Sequence, residues 1–243
     1  MDWHFFTPRR PSADRSQLQD PLERLVPLVL RLATLFVCAV LLVQALDANA
    51  TFPPSHRPLL YSLYSTLIIL PMHEGGHLLF RLFGYVLYML GGSFWQIMFP
   101  LLLFVVAVRQ RSFWASVWLV LTGVHTIDLS PYIYDAPYQS LALLGGKHVL
   151  HDWHYLLIHY QVLDWSEPLA DIAYYGGGAL GVAGIVLGAA WALLRWKAAR
   201  TPARIAGPSR AVRPPGLPPS AGPGLPAEPP DEQNPFGPDG SVG

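Results

Sequence analysis

The sequence has few of the residues on which soluble folds, disulfide frameworks and nucleic-acid sites depend. Only 13% of the 243 residues are charged and 52% are apolar, a balance too hydrophobic for an ordinary soluble domain. The single cysteine, Cys38, excludes an intrachain disulfide and a multi-thiolate metal site. Sixteen basic and sixteen acidic residues cancel, so no net positive charge favours nucleic acid as a partner. We therefore expect the protein to be surrounded by membrane lipid.

Five apolar runs predict membrane-spanning helices. A spanning helix needs about 20 largely apolar residues, and the predicted spans are residues 25–46, 59–83, 93–108, 113–133 and 172–194. Before the third span, the segment GYVLYMLGG is interpreted as a short extended or re-entrant piece. The fold class predicted from this pattern is all-α: a polytopic bundle of about five transmembrane helices in an integral, multi-pass membrane protein.

Both ends of the chain are polar. Residues 1–24 contain no short apolar core followed by a small-residue cleavage site, so we expect no removable signal peptide and a first span that remains as an anchor. Residues 197–243 are rich in proline, glycine, alanine and arginine. Such a segment cannot offset its ordering entropy by burying apolar surface, which predicts a disordered tail.

Glycines at helical spacing predict close helix contacts. The last span carries a smooth stripe formed by Gly177, Gly181, Gly184 and Gly188. Small residues at such spacing permit two membrane helices to approach closely. In the second span Gly75 and Gly76 each cost about 1 kcal/mol of helix propensity relative to alanine. Either tight packing or room for a metal or substrate explains that second pair.

The second predicted span contains ionisable residues where a simple anchor would have leucines. Its motif MHEGGH contains His73, Glu74 and His77. Residues four positions apart lie on one face of a helix, so both imidazoles can bind one metal ion. An ionisable residue near the middle of a bilayer costs at least roughly 2.5–3.5 kcal/mol for Asp or Lys. A metal ion supplies the partner that these neighbouring polar residues need.

Zinc suits this pair of histidines. Neutral imidazole is a good zinc ligand, and a catalytic zinc site has three protein ligands and one position for water. Zinc lowers the pKa of water and polarises a carbonyl, whereas Glu74 can take and return the proton as general base. Hydrolysis of a peptide bond is the natural reaction for such a set of groups.

Few acidic residues are available to complete the site. Between residues 23 and 152 only four occur, and Asp47 lies in a predicted loop. The other three, Glu74, Asp128 and Asp135, lie within or at the end of a predicted span. They are therefore the acidic site candidates.

The motif pattern resembles the site-2 protease family of membrane-embedded zinc peptidases. In that family an HExxH helix is followed by a further span and then by a helix with an aspartate ligand near an Asn-x-x-Pro motif. The segment DLSPYIYDA is similar to the second motif, with Asp128 in the asparagine place, Pro131 three residues on and Asp135 as the aspartate. Asp135 is one residue closer than usual, and alanine follows it where glycine is common.

The resemblance implies that His73, His77 and Asp135 bind Zn²⁺ and that Glu74 is catalytic. Asp128, His151 and Asp152 are further candidates for the third ligand. The resemblance covers about residues 59–136, and it implies an enzyme that hydrolyses peptide bonds of membrane-embedded or membrane-anchored protein or peptide substrates. We expect it in the cytoplasmic membrane of a bacterium.

The histidine content leaves several interpretations open. The segment HVLHDWHYLLIH brings together His148, His151, His154 and His159. This cluster is interpreted as a second shell around the site, a substrate gate, another metal site or an interfacial segment. A di-iron membrane oxidase uses many histidine pairs, but this chain has one HxxxH box. A metal transporter or sensor would relay ions through the same polar residues. A degenerate family member would keep zinc only for stability.

Overall fold

The computed structural model describes residues 21–54, 56–142, 144 and 150–200. Over these residues the regular structure is helical and no β-strand occurs. A π-helical turn, Ser65–Ile69, joins α2 to α3 without interruption, and a 3₁₀ turn, Arg81–Phe83, follows α3. The helices are α1 (Pro21–Ala48), α2 (Leu59–Tyr64), α3 (Leu70–Phe80), α4 (Tyr85–Arg109), α5 (Trp114–Tyr134), α6 (Asp152–His159) and α7 (Ser166–Arg200).

Three segments are helical, long and apolar enough to cross a membrane. They are Leu25–Ala48, Tyr85–Arg109 and Leu163–Ala198. Large apolar side chains on these helices face outward, for example Phe36, which is 69% exposed, as lipid-facing residues do. The predicted all-α class and the predicted membrane association agree with this architecture.

The helices differ in places from the predicted spans. The segment GYVLYMLGG is neither extended nor re-entrant, because α4 begins at Tyr85 and continues through Gly91 and Gly92 to Arg109. Packing against α3 at these glycines compensates for their poor helix propensity. The last helix begins at Ser166, six residues before the predicted span, and includes residues 197–200. Residues 201–243, with most of the tail predicted to be disordered, and residues 1–20 lie outside the described residues.

Helix α5 lies at the centre of the bundle. It packs most extensively on α7 and also contacts α1 and α4. Its Val120, Val124 and Ile127 are fully buried in the main hydrophobic cluster. A Cβ atom added at Gly177 would lie 2.7 Å from the carbonyl oxygen of Gly123, so the backbones of α5 and α7 are in direct contact. The predicted role of the glycine stripe in helix packing is confirmed at this position.

Helices α3 and α4 form a close pair. The turn between them ends at Gly84, whose φ of +96° favours glycine. A Cβ atom at Gly76 would lie 2.3 Å from the carbonyl oxygen of Gly91, so tight packing explains Gly76. Nothing lies within 4 Å of a Cβ added at Gly75. This packing brings the histidine face of α3 against the glycines and Gln96 of α4.

Candidate metal centre

Three potential ligands from two distant helices meet at one point. His73 and His77 project from α3, and Asp152 is the first residue of α6. The Oδ2 atom of Asp152 lies 3.0 Å from Nε2 of His73 and 3.1 Å from Nε2 of His77. All three side chains are buried or nearly so, with exposures of 8%, 9% and 5%. Among the residues that the structure describes, this is the one group of three potential metal ligands with converging atoms.

Hydrogen bonds on the far side of each ring orient both imidazoles. Nδ1 of His77 lies 2.7 Å from the backbone carbonyl oxygen of Tyr88, which can only accept, so Nδ1 carries the proton. Nδ1 of His73 lies 2.9 Å from Oε1 of Gln96. The amide nitrogen of Gln96 donates to the carbonyl oxygen of His125 at 3.0 Å, which leaves Oε1 as the acceptor. In its neutral form each ring would therefore present the Nε2 lone pair to the centre, as histidines that bind metals do.

This arrangement of lone pairs requires a cation or additional protons. Two imidazole lone pairs and a carboxylate oxygen face one another at 3.0 and 3.1 Å and repel in the absence of positive charge. One divalent cation would satisfy all three ligands at once.

The dimensions of the site fit zinc. With zinc–ligand bonds of about 2.0–2.1 Å, the ligand atoms of a tetrahedral site lie about 3.3 Å apart. The two measured separations are slightly shorter, and all three ligand atoms lie within 4.8 Å of one another. A Cβ atom added at Gly92 would lie 2.5 Å from Nε2 of His77 and 2.6 Å from Nε2 of His73. The missing side chain of Gly92 therefore leaves space where both lone pairs point.

The carboxyl of Asp152 is ionised at neutral pH. Burial acts to raise its pKa, but in the absence of a metal ion, hydrogen bonds from His73 and His77 and positive charge on these rings outweigh this effect and lower the pKa to about 2. A permanently anionic ligand facing two imidazoles suits a cation better than a neutral ligand.

The predicted base, Glu74, lies at the surface of the adjoining cavity. The cavity has a volume of about 1190 Å³, and Glu74, both histidines, Asp152 and Tyr132 lie in its wall. Glu74 is exposed whereas the histidines beside it in the sequence are buried. The three potential metal ligands and the Glu74 carboxylate therefore line one cavity.

Asp135, the predicted third ligand, lies outside this group. It is fully buried at the end of α5, where its carboxylate accepts hydrogen bonds from the backbone N–H and hydroxyl of Ser140 and from the N–H of Leu141. These bonds close the turn after α5. Asp152, a further candidate from the sequence, occupies the position beside the histidines instead, because α6 begins at this residue and packs on α4.

Asp128 and His151, which the sequence also offers as third ligands, have separate partners. Asp128 accepts hydrogen bonds from Tyr61 at 2.6 Å and from Ser65 at 2.8 Å. His151 caps α6, because its Nδ1 accepts the N–H of His154. The His154 ring in turn donates from Nδ1 to the carbonyl oxygen of Ala136 at 2.7 Å. His148 lies outside the described residues, so a role for the whole histidine cluster is untested.

Sequence reasoning missed the residues that support the ligands. Gln96 orients His73, Gly92 leaves the central space, and Tyr132 contacts Asp152. Gln96 alone carried a signal, as a polar residue within the apolar segment GGSFWQIMFP. Comparisons of the chain with protein-family models, with curated proteins and with solved structures found no match.

Proposed function

We propose that this protein is a zinc-dependent intramembrane peptidase of the site-2 protease type. The observation that carries the proposal is the convergence of His73, His77 and Asp152, with both Nδ1 protons held by other acceptors. An exposed glutamate next to the first ligand, in a cavity open to a peptide, supports hydrolysis over simple metal storage. His73, His77 and Asp152 are the proposed ligands, and Asp152 replaces Asp135 in this role.

Each residue has a defined part in the proposed reaction. A bound zinc ion supplies Lewis-acid chemistry, which lowers the pKa of water and polarises a carbonyl. Glu74 accepts the proton of the attacking water and returns it to the leaving amine. Gln96 and the Tyr88 carbonyl keep the imidazoles in the tautomer that binds metal.

The proposed substrate is a membrane-embedded or membrane-anchored protein or peptide. The cavity wall has apolar side chains, among them Leu78, Leu144 and Leu150, beside the polar ligands, which suits a segment that is itself apolar. Within this proposal the chain crosses a bacterial cytoplasmic membrane five times, in α1, α2–α3, α4, α5 and α7. Reporter tags at the two termini should then lie on opposite faces, and tags on one face would contradict five crossings.

The proposal is tested by metal analysis and cleavage assays on purified protein. We expect about one zinc per chain in wild type. Glu74→Gln should keep this zinc but lower the turnover of single-span test substrates by about 10²–10⁴-fold, the usual contribution of a general base. Glu167→Gln changes an exposed glutamate on α7 and is the matched control, with activity unchanged.

The same measurements separate the rival functions. Iron in place of zinc would favour a di-iron oxidase, although the described residues contain one converging ligand group, not two. A transporter would move zinc across vesicle membranes and tolerate Glu74→Asp. A zinc-loaded wild type that cleaves no substrate, with Glu74→Gln indistinguishable from it, would contradict the peptidase proposal.

A further inference from the structure

Tyr132 of α5 lies in the cavity wall beside the metal centre and is fixed there on both sides. Its ring centroid lies 5.7 Å from that of His73, edge to face, and 4.2 Å from that of His151. Two imidazole rings thus hold one phenol ring between them. Neither the ligand set nor the general base in the proposed function uses this tyrosine.

The hydroxyl of Tyr132 reaches the third ligand. The backbone N–H of Asp152 donates to this hydroxyl oxygen at 3.1 Å. The hydroxyl accepts in this bond and therefore keeps its own proton to donate. The Asp152 side chain is one acceptor within its reach. The hydroxyl lies at the residue that touches both histidine Nε2 atoms and in the same cavity wall as Glu74.

A buried histidine supports the tyrosine from behind. His151 is 1% exposed, and its Nε2 lies 3.5 Å from Oδ2 of the fully buried Asp135. Nδ1 of His151 accepts the N–H of His154, whereas its buried Nε2 has no hydrogen-bond partner among the described residues. The ring that packs on Tyr132 is therefore held in place, which gives the phenol the rigidity expected of a preorganised donor.

Two other polar groups near the centre have their protons engaged. The Gln96 amide donates to the carbonyl oxygen of His125, and the Ser65 hydroxyl donates to Asp128. Glu74 is required as a base and has no proton to offer until it has taken one from the attacking water. The Tyr88 hydroxyl also lies in the cavity wall, on a ring packed against His77, but Tyr132 is the tyrosine whose hydroxyl is hydrogen-bonded to Asp152.

We propose that the Tyr132 hydroxyl donates a hydrogen bond to the oxyanion formed at the scissile carbonyl, an inference that depends on the proposed peptidase function. The water oxygen bonds to the carbonyl carbon, the π pair moves to the carbonyl oxygen, and Glu74 takes the water proton. Tyr132 stabilises the resulting anion without transferring its own proton. The C=O bond then re-forms, the C–N bond breaks, and Glu74 delivers its proton to the nitrogen.

The test compares Tyr132→Phe with Tyr134→Phe, a substitution on the same helix at a residue absent from the cavity wall. For Tyr132→Phe we expect kcat to fall about 10²–10³-fold, as when one oxyanion donor is removed. KM and zinc content should stay unchanged. Affinity for a phosphinic peptide, a tetrahedral anionic mimic, should fall by a similar factor, whereas affinity for the product peptide should not. Tyr134→Phe should behave as wild type in all five measurements.

The outcomes distinguish donation from simple positioning of Asp152. A loss of zinc affinity of about 10–100-fold, typical when support of a ligand is removed, would make Tyr132 a positioning residue and overturn the proposal. Unchanged kcat and unchanged phosphinic-peptide binding would overturn it as well. Inactivity of the zinc-loaded wild type would instead count against the peptidase function itself.

A second variant covers the case in which Tyr132→Phe does not fold. Replacing Tyr132 with 3-fluorotyrosine keeps the hydroxyl and places a fluorine next to it. We expect the fluorine resonance to move when the phosphinic peptide binds and to stay in place when the product peptide binds. Equal shifts with both peptides, or none with either, would refute donation to the oxyanion.

Discussion

Gly92 determines whether the metal centre has room for an ion. Its missing side chain faces both Nε2 atoms, and a Cβ atom there would lie 2.5 and 2.6 Å from them. These distances are shorter than non-bonded carbon and nitrogen atoms tolerate, and about 0.5 Å longer than a zinc–nitrogen bond. A methyl group at this position and a metal ion therefore compete for the same space.

Gly92→Ala should accordingly lower zinc affinity by at least about 100-fold, more than the usual effect of changing a supporting residue. Gly75→Ala is the control, because nothing lies within 4 Å of a Cβ atom there. It should keep full zinc content and gain up to about 1 kcal/mol of helix propensity. Competition with a chromophoric chelator measures both affinities. Equal zinc affinity in the two variants would contradict this account of Gly92.

Asp152 and Asp135 allow a direct test of which carboxylate binds the metal. Asp152→Asn removes the anionic ligand, so we expect zinc affinity to fall by at least about 100-fold. Asp135→Asn weakens the turn at Ser140 and Leu141 and should lower the thermal stability while zinc remains bound. Zinc content and melting temperature, measured on the same preparations, separate the two effects. The opposite pattern would restore Asp135 as the ligand.

The sequence pattern alone predicts two of the three proposed metal ligands. His73, Glu74 and His77 lie on one helix, so spacing alone places the two imidazoles on a common face. The third ligand comes from 79 residues away in the chain, and its position depends on how the segment after α5 folds back. Local patterning contains no information about that path, which is why the sequence offers Asp152 as only one of several candidates.

At the level of helices, the contact between α5 and α7 depends on glycine. Gly177 and Gly123 face each other, and the added Cβ of Gly177 would also meet the backbone nitrogen of Ile127 at 2.9 Å. Backbone atoms cannot move aside as the end of a flexible side chain can. Gly176, next to it, is exposed and has open space around an added Cβ atom.

Gly177→Ala should therefore destabilise the bundle by about 1–3 kcal/mol, the usual cost of overpacking. Gly176→Ala should be neutral or slightly stabilising because it only adds helix propensity. Thermal unfolding in a mild detergent, followed by circular dichroism, compares the two variants. If both unfold at the same temperature as wild type, α5 and α7 are not packed as closely as the structure has them.

The helix boundaries show where sequence patterning succeeds and where it does not. The helix predicted at residues 113–133 matches α5, Trp114–Tyr134, within one residue at each end, although α5 is not among the three helices that are apolar enough to cross a membrane. The predicted third span begins eight residues after the start of α4 at Tyr85, since Gly91 and Gly92 resemble a break in a helix. These two glycines instead allow a close contact with α3. Such contacts between helices cannot be read from the order of residues.

At the level of the whole molecule, the cavity extends from the candidate metal centre along one side of the helix formed by α2 and α3. Thr66 lies in the cavity wall, whereas its neighbour Leu67 is absent from it and is 65% exposed. Successive residues on a helix point about 100° apart, so one faces the cavity and the other the outer surface. Hydrolysis within a membrane requires water in the cavity and lipid on the outer surface.

Thiol labelling tests this division. Cys38 is buried and is the chain's one cysteine, so Cys38→Ala gives a background without thiols. In membranes, we expect Thr66→Cys to react with a small, charged methanethiosulfonate reagent and Leu67→Cys to remain largely unmodified, because a lipid-facing thiol ionises poorly. In denaturant without detergent, both introduced cysteines should react fully, which shows that the reagent is active. Protection of both positions in the membrane would mean that water does not fill the cavity, and a hydrolytic site at His73 and His77 would then lack its second substrate.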